Sequence, residues 1–406
     1  MRASMQTHLI DKIKNTADGR KADEILRNCV HCGFCNATCP TYQLTGDELD
    51  GPRGRIYLIK NMLETGEAGV STRLHLDRCL TCLNCQTTCP SGVAYGQLLE
   101  IGRQQIEKDT TRKFSERVVR KLLRSVLPYK KRFNFLLYLG RSFKFLLPAE
   151  SKRKIPGKKN TSKSSTSEPL HSRKMLLLEG CVQPGLSPET NQAARDVFNR
   201  LGITLIDASG AGCCGAVSHH LSATDEARRF VRNNIDAWWP FIEKGAEAII
   251  VTASGCGLMV KEYADLMEND PAYAEKAKTV SALAKDPVEV LENENLSGFI
   301  LNQEKEIVFH PPCTLQHGQK LAGRTEALLK SLGYELQPVQ DSHLCCGSAG
   351  TYSILQADLS QQLLSNKLTH LLATKPAIIA TANIGCQQHL QTGTDTPVVH
   401  WLELLK

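Results

Sequence analysis

The spacing of hydrophobic and polar positions changes along the chain and predicts three kinds of structure. Residues 5–28 predict a helix with a polar face, and residues 56–63 predict an amphipathic helix that follows a turn at 51–55. Residues 111–149 alternate basic and apolar positions, which is typical of a basic amphipathic helix. Beyond residue 172, short apolar runs of β type alternate with longer helical patterns, which indicates α/β units with mostly parallel strands.

The segment 150–172 is rich in Ser, Lys and Pro, and it has few apolar side chains to bury, so it predicts a flexible linker. The expected fold class is α+β multi-domain: an N-terminal α-helical module, followed by two repeated α/β cysteine-rich domains. The expected domains are the helical module at 1–110, the basic segment and linker at 111–172, and the two repeats at 173–300 and 301–406.

The α/β part of the chain is an internal repeat marked by cysteines. In each copy an apolar run ends at a cysteine, a Cys-Cys-Gly triplet follows 32 residues later, and a second apolar run ends at a fourth cysteine. Open parallel sheets gather ligand sites at the carboxyl ends of their strands, so each copy predicts a candidate metal site. The two sets are Cys181, Cys213, Cys214 and Cys256, and Cys313, Cys345, Cys346 and Cys386.

The first part of the chain carries the pattern C-x2-C-x2-C-x3-C-P twice, at 29–40 and at 79–90. This pattern is the bacterial ligand run for a [4Fe–4S] cluster, in which the cysteine before the proline binds the other cluster. We therefore predict two [4Fe–4S] clusters, which makes the N-terminal part an α-helical ferredoxin-like di-cluster module. The ligands are Cys29, Cys32, Cys35 and Cys89 for the first, and Cys79, Cys82, Cys85 and Cys39 for the second.

Two other uses of these cysteines fit the sequence less well. Zinc sites usually pair two C-x2-C units and do not use a triplet followed by Cys-Pro. A disulfide framework is typical of secreted proteins, and residues 1–8 have neither a long apolar core nor a small-residue cleavage site. Reduced, metal-binding cysteines without an apolar run of transmembrane length predict a cytoplasmic protein.

The net charge of +7 is unevenly distributed. Residues 111–160 contain sixteen Lys or Arg and only two acidic residues, so the rest of the chain is acidic overall and nucleic-acid binding is disfavoured. The basic amphipathic segment can lie on an anionic membrane, on the inner face of the cell membrane, or dock on a partner subunit. An ordinary surface helix between two domains is the third reading.

Two smaller features have open interpretations. Arg53 and Arg55 can face a negatively charged cluster, or they can belong to a solvated turn. The run Gly210-Ala-Gly-Cys-Cys-Gly215 matches a dinucleotide-binding pattern, but its variable positions are the paired cysteines and the second copy lacks the first two glycines. We therefore do not expect nucleotide binding.

Two ferredoxin motifs followed by two cysteine-rich CCG domains resemble a family of electron-transfer subunits. The family includes the iron–sulfur subunits of bacterial glycolate oxidase, of lactate-utilisation and glycerol-3-phosphate dehydrogenase complexes, and of heterodisulfide reductase. The glycolate oxidase iron–sulfur subunits are most similar, through 46–60, Asn233-Asn-Ile-Asp-Ala-Trp-Trp-Pro240 and Ser342-His-Leu-Cys-Cys-Gly-Ser-Ala-Gly-Thr-Tyr352.

This resemblance implies a complex in which partner subunits bind FAD and oxidise glycolate to glyoxylate. Electrons would then pass through this chain toward a quinone-type acceptor, and the chain itself would have no catalytic residues. A thiol–disulfide enzyme like heterodisulfide reductase is the alternative. This alternative is disfavoured because Met259 and His389 occupy the positions at which those domains have the second cysteine of a C-x-x-C pair. Each repeat thus offers four cysteines, and an additional Fe–S cluster, zinc or no metal all remain open.

Overall fold

The computed structural model describes residues 5–146, 157, 171–300 and 305–406, and within these it forms two compact units. The first unit contains the described residues up to Val119 together with His343–Lys367. The second contains those of Arg120–Ser342 and Leu368–Lys406. Most of the predicted linker at 150–172 lies outside the described residues. The Cys345–Cys346 segment of the second repeat belongs to the first unit.

The chain as far as Ser142 is helical, with short 3-10 turns at Phe34–Asn36 and Glu48–Asp50. Its helices are α1 (Asp11–Lys14), α2 (Ala17–Arg27), α3 (Pro40–Thr45), α4 (Pro52–Thr65), α5 (Val70–Asp77), α6 (Asn84–Thr88), α7 (Tyr95–Asp109), α8 (Phe114–Val126) and α9 (Lys130–Ser142). The core of the first unit is built mainly from apolar side chains of α2, α4 and α7, including Leu26, Ile59 and Leu98.

Three predicted boundaries in this part were wrong, each for a local reason. The helix predicted over 5–28 is two helices, because Thr16 caps α2 by accepting the N–H of Gly19 at 2.9 Å. The turn predicted at 51–55 is mostly the first turn of α4, which begins at Pro52, a position that suits proline. The basic segment is two helices, since Pro128 disfavours helical backbone before it.

The remaining helices are α10 (Gln183–Leu186), α11 (Pro188–Arg200), α12 (Ala216–His220), α13 (Thr224–Ile242), α14 (Ser254–Lys261), α15 (Tyr263–Leu266), α16 (Ala274–Leu283), α17 (Pro287–Leu291), α18 (Arg324–Ser331), α19 (Tyr352–Leu355), α20 (Ala357–Leu371) and α21 (Ile384–Gln391). A π-helical turn spans Thr314–Gly318, and 3-10 turns span Lys144–Leu146, Ser297–Phe299 and Trp401–Leu405.

The second unit contains two four-stranded parallel sheets with the same topology, as the repeat predicted. The strands are β1 (Arg173–Leu177), β2 (Ile203–Ile206), β3 (Ile249–Ile250), β4 (Ala284–Lys285), β5 (Lys305–His310), β6 (Tyr334–Leu336), β7 (Ile379–Thr381) and β8 (Val398–His400). The strand orders are β2-β1-β3-β4 and β6-β5-β7-β8. In the first sheet Met175 pairs with Leu205 and Leu176 pairs with Ile249, and these apolar side chains are buried.

Each repeat ends in a strand followed by a capped helical turn. Asp286 follows β4 and caps α17, with Glu289 completing a capping box. His400 ends β8 and caps the turn Trp401–Leu405, with Glu403 in the same role. The Nε2 atom of His400 lies 2.9 Å from the carbonyl oxygen of Thr252, so the two repeats are hydrogen-bonded to each other within the second unit.

Candidate functional site

The first unit contains two adjacent cavities lined by cysteines. The first is lined by Cys29, Cys32, Cys35 and Cys89, and the second by Cys39, Cys79 and Cys82, while Cys85 lines both. Each cavity thus includes the four cysteines that the sequence assigns to one cluster. Pro52 and Tyr95 also line both cavities, so the walls of the two sites are shared.

In each triplet of cysteines, two of the residues between the cysteines have backbone in the left-handed region. His31 and Gly33 have φ of 56° and 81° in the first motif, and Thr81 and Leu83 have φ of 55° and 61° in the second. Three of these four residues carry a side chain, for which such φ values are strained. Both motifs adopt the same costly turn, and this turn directs three sulfurs to one centre.

The fourth cysteine of the first motif is held beside the second cavity. Cys39 caps α3, where Pro40 occupies the first helical position, and its sulfur lies 3.3 Å from the Thr41 hydroxyl. The Thr41 hydroxyl donates to the carbonyl oxygen of Asp50 at 2.8 Å. Cys39 is thereby turned away from Cys29, Cys32 and Cys35, although it follows them directly in sequence.

The sulfur of Cys79 receives hydrogen bonds from the chain itself. The Tyr95 hydroxyl and the backbone N–H of Thr81 each donate to this sulfur at 3.5 Å. The Arg103 guanidinium donates to the carbonyl oxygens of Cys79 and Leu76, at 2.7 and 2.8 Å, and to the Thr81 hydroxyl at 3.0 Å. These donors fix the turn and stabilise negative charge on the sulfur, as a cluster ligand requires.

A buried charge network lies behind the second cavity. The carboxylate of Asp50 is fully buried and contacts His75 Nδ1 at 2.8 Å, Arg78 at 2.8 Å and Arg55 at 3.6 Å. Arg55 also donates to the carbonyl oxygen of His75 at 2.7 Å and to the Thr41 hydroxyl at 3.2 Å. The attraction between these paired ions offsets part of the free-energy cost of removing them from water.

The pKa values of the thiols differ according to these surroundings. Burial raises the pKa of Cys35 to about 11, and burial also raises the pKa of Cys29 and, more strongly, of Cys85. Burial opposes ionisation of Cys79 too, but the charges of Arg55 and Arg103 outweigh it and lower the pKa of that thiol. Cys79 is therefore prepared to bind metal as a thiolate.

The first cavity is the more exposed of the two. The Cys32 thiol is exposed, and the neighbouring apolar side chains Val30 and Phe34 are 43% and 66% exposed. Arg53 lines this cavity, but it is half-exposed and pairs with Glu48 at 2.6 Å. In contrast, the Arg55 side chain that lines the second cavity is only 1% exposed.

The four cysteines of the first repeat converge in the second unit. Cys181, Cys213 and Cys214 are buried and follow β1 and β2, and Cys256 lies in the first turn of α14. Contacts with the thiols of Cys213 and Cys256 hold the pKa of Cys214 well below its ordinary value, whereas the pKa values of Cys213 and Cys256 are raised. Four sulfurs in contact are a donor set that suits zinc or iron.

The Cys-Cys-Gly loop is held by two polar side chains from the helices around it. The Asn234 amide accepts from the N–H of Gly212 at 2.8 Å and donates to the carbonyl oxygen of Cys213 at 2.9 Å. Tyr263 donates to the carbonyl oxygen of Cys214 at 2.9 Å. Met259, at the place of a fifth cysteine, is buried in the apolar core.

The four cysteines of the second repeat are divided between the two units. Cys313 and Cys386 belong to the second unit, where the Asn383 amide donates to the Cys386 sulfur at 3.6 Å. Cys345 and Cys346 belong to the first unit. Their loop repeats the local geometry of the first copy, since Gly347 donates to the Cys345 sulfur at 3.4 Å as Gly215 does to Cys213 at 3.4 Å.

Several residues that shape these sites receive no role from the sequence, although Asp50 and Asn234 lie within stretches that carry the family resemblance. Asp50, Tyr95, Arg103, Asn234 and Tyr263 lie far along the chain from the cysteines they serve, and their residue types are common in ordinary helices. Spacing reveals ligands that share one loop, but not the polar groups that other helices bring to that loop.

Comparison with known proteins agrees with the two kinds of site. Residues 25–93 match the family described as 4Fe-4S dicluster domain, and residues 175–261 and 307–391 match the cysteine-rich domain family CCG. The glycolate oxidase iron-sulfur subunit of Escherichia coli (strain K12) is 53% identical over 403 residues, which cover 99% of this chain and 98% of that protein. This chain belongs to the family of glycolate oxidase iron–sulfur subunits.

Other relatives are more distant. The probable glycolate oxidase iron-sulfur subunit of Bacillus subtilis (strain 168) is 29% identical, over 95% of this chain and 92% of that protein. Lactate utilization protein A of Bacillus licheniformis is 27% identical, over 53% of this chain and 90% of that protein. The predicted family and fold class are thus confirmed. None of the helices in the described ranges has the length and apolar composition that crossing a bilayer requires.

Proposed function

We propose that this glycolate oxidase iron–sulfur subunit relays electrons from flavin-binding partner subunits, which oxidise glycolate to glyoxylate, toward a quinone-type acceptor. The observation that carries the proposal is the pair of adjacent cavities, each lined by four cysteines at the spacing of a [4Fe–4S] ligand set. The 53% identity to the glycolate oxidase iron-sulfur subunit of E. coli supports glycolate over lactate.

The cysteine sets fit two [4Fe–4S] clusters, with Cys29, Cys32, Cys35 and Cys89 around the first and Cys79, Cys82, Cys85 and Cys39 around the second. A bound [4Fe–4S] cluster supplies one-electron transfer, whereas glycolate loses two electrons and two protons on becoming glyoxylate. A flavin on the partner subunits would take both electrons, and the groups held by the cysteines of this chain would receive them one at a time. No bond forms or breaks in this chain.

The residues of this chain have three tasks in the relay. The thiolates fix two redox sites side by side, with Cys85 and Tyr95 in the walls of both. The donors on Cys79 stabilise its charge and hold the turn rigid. The exposed edge at Cys32 and Phe34 gives a partner access to the first site, while most side chains that line the second are buried.

The relay is tested with the assembled complex. Cys32→Ser and Cys82→Ser should each abolish glycolate-dependent reduction of a quinone analogue, while the flavin subunits keep glycolate oxidation with a dye that accepts electrons directly from flavin. Metal analysis of the anaerobically purified chain should give about eight irons with matching sulfide. Unchanged quinone reduction in both variants would mean that the chain has only a structural role. Anaerobically purified chain that contains zinc and no iron would refute the relay.

We further propose one metal centre at Cys181, Cys213, Cys214 and Cys256 of the first repeat. The contact of four sulfurs and the lowered pKa of Cys214 support it. Iron above about eight per chain that is lost in Cys214→Ser would identify a third cluster, and zinc lost in the same variant would identify a structural site. The same metal content in wild type and Cys214→Ser would show that this site is metal-free.

The basic helices support contact with an anionic membrane surface. On α9, Phe135 and Tyr138 are 62% and 67% exposed, and Phe143 just beyond it is 53% exposed. Lys130 and Lys131 are exposed on the same helix. Exposed aromatic side chains beside cations are typical of helices that lie in the interface of anionic lipids.

The membrane proposal makes a salt-dependent prediction. The chain should sediment with vesicles containing phosphatidylserine at low salt and should be released from them as salt rises. It should not bind neutral vesicles. Phe135→Ser combined with Tyr138→Ser should weaken binding. If the chain stays in the supernatant with all vesicles yet the double variant loses its flavin subunits, this surface docks a partner protein instead.

A further inference from the structure

Arg53 and Arg55 begin the same helix but have different surroundings. Arg53 is 36% exposed, and it forms an ion pair with Glu48. Arg55 is 1% exposed and its guanidinium lines the cavity that contains Cys39 and Cys79. The sequence left both arginines undecided between a cluster environment and a solvated turn, and the structure separates them.

The Arg55 guanidinium is fixed on three sides. Its Nε donates to the carbonyl oxygen of His75 at 2.7 Å, and both terminal nitrogens lie 3.2 Å from the Thr41 hydroxyl oxygen. Asp50 lies 3.6 Å away. On the open side, Nη1 lies 4.0 Å from the sulfur of Cys39.

The charges near the second cavity do not cancel. The carboxylate of Asp50 is shared by Arg55 and Arg78, Arg103 adds a further cation at the carbonyl oxygen of Cys79, and the carboxylate of Asp47 lies within 4.8 Å of that of Asp50. These three arginines and two aspartates together have a net charge of +1. At the first cavity, the charge of Arg53 is opposed by that of Glu48, and both side chains are in contact with water.

We propose that Arg55 tunes the second cluster: its fixed, buried guanidinium donates toward the Cys39 sulfur and raises the potential at which that cluster accepts an electron. The inference rests on the proposed function, because it requires a cluster held by Cys39, Cys79, Cys82 and Cys85. It assigns Arg55 a positioning and electrostatic role, and no bond changes in the step.

The direction of the effect follows from electrostatics. Reduction adds one negative charge to a cluster and its thiolates, so a nearby cation and hydrogen bonds to sulfur favour the reduced form. The interaction of charges is stronger in a buried site, where the effective dielectric constant is lower than in water. Arg53 can exert little of this effect, because water and Glu48 screen its charge.

Arginine is the residue that this position requires. A lysine carries its three N–H donors on one nitrogen, so it cannot place donors at both the Nε position, which meets the His75 carbonyl, and the Nη1 position, which faces Thr41 and Cys39. Arg55→Lys therefore keeps the charge but loses the fixed geometry, whereas Arg55→Gln loses both. The pair of variants separates the effect of the charge from that of the hydrogen bonds.

The test is an anaerobic redox titration of the cluster-loaded chain, followed by electron paramagnetic resonance. Cys32→Ser and Cys82→Ser first assign the two signals to the two sites. Arg55→Gln should then shift the midpoint potential of the Cys82-dependent signal downward, Arg55→Lys should shift it less, and the other signal should stay nearly unchanged. Arg53→Gln, two residues away, is the matched control and should leave the midpoint of the Cys82-dependent signal close to the wild type.

Several results would overturn the inference. If Arg55→Gln lowers the melting temperature but leaves the midpoint potential unchanged, Arg55 has a purely structural role. If Arg53→Gln shifts the Cys82-dependent midpoint as much as Arg55→Gln does, the effect is not specific to Arg55. If Arg55→Gln does not fold, Thr41→Val is the second variant, because it removes the hydroxyl that fixes the guanidinium; it too should lower the same midpoint. Iron analysis separates the two proposals. If the chain does not hold two clusters, the proposed relay is wrong. If it holds two clusters and the midpoint potential does not shift, only the proposed role of Arg55 is wrong.

Discussion

The side-chain amide of Asn84 donates a hydrogen bond of 3.2 Å to the backbone carbonyl oxygen of His343, 259 residues further along the chain. The same amide nitrogen lies 3.1 Å from the carbonyl oxygen of Thr38. Asn84 lies between two cysteines of the second ferredoxin motif, and His343 precedes the Cys-Cys-Gly triplet of the second repeat. One buried side chain thus connects both ferredoxin motifs to that triplet within the first unit.

Loss of this link should loosen the Cys345–Cys346 loop. In Asn84→Ala the carbonyl oxygens of Thr38 and His343 lose a buried donor, which costs about 1–3 kcal/mol. Amide hydrogen exchange in residues 343–352 should therefore become faster by about tenfold or more. The control is Asn36→Ala in the first motif, whose amide donates to Glu48. Equal exchange in both variants would contradict the role of Asn84.

The cluster ligands should be crossed between the two motifs. Cys39→Ala and Cys79→Ala should each lose the same spectroscopic signal and about four of about eight irons, because both thiols line the second cavity. Cys89→Ala should instead remove the signal that Cys29→Ala removes. If Cys39→Ala and Cys29→Ala were to affect the same signal, each motif would bind its own cluster and the crossed assignment would be wrong.

Asp286 should make the second unit less stable as pH rises. Burial raises the pKa of its carboxyl to about 7, far above the value of about 3.9 in an unfolded chain. The folded state therefore binds more protons between these pH values, so the contribution is full below pH 4 and is lost as pH rises through 7. About 3 pH units correspond to an upper limit of about 4 kcal/mol.

Unfolding experiments on Asp286→Asn can measure this contribution. Asparagine stays neutral and can still accept the N–H of Val288, which Asp286 accepts at 3.1 Å. The difference in unfolding free energy between wild type and variant should favour the wild type most at pH 5 and least at pH 8. Other titrating groups cancel in the difference, so a constant value across this range would show that the carboxyl is ionised throughout.

Gly185 should be needed for α9 to pack on α10. A Cβ atom at this position would lie 2.3 Å from Oδ1 of Asn134 and 3.3 Å from carbons of Leu137 and Phe133. Gly185→Ala should destabilise this contact by about 1–3 kcal/mol and make α9 more sensitive to proteolysis. Gly212→Ala is the matched control, because a Cβ there would meet no atom within 4 Å. Equal protection in both variants would mean that α9 can shift at little cost.

The sequence by itself determined the parts of this protein that depend on local spacing. Two four-cysteine runs ending in proline indicated cluster ligands, because ligands on one loop must follow each other at fixed intervals. The 32-residue spacing of Cys181 and Cys213, repeated at Cys313 and Cys345, indicated two equivalent α/β units, and the sheets have the same strand order. Helix ends were less well predicted, since caps such as Thr16 act through a single hydrogen bond.

Only the tertiary structure decided which residues surround the cysteines. Arg53 and Arg55 are equivalent in sequence, but helical geometry points one toward water and buries the other beside Asp50. Asn84, Tyr95 and Arg103 are ordinary helix residues until folding brings them to Thr38, Cys79 and Thr81. A ligand pattern is fixed by covalent spacing, whereas the groups that set its charge and exposure are distant in sequence and meet only through packing.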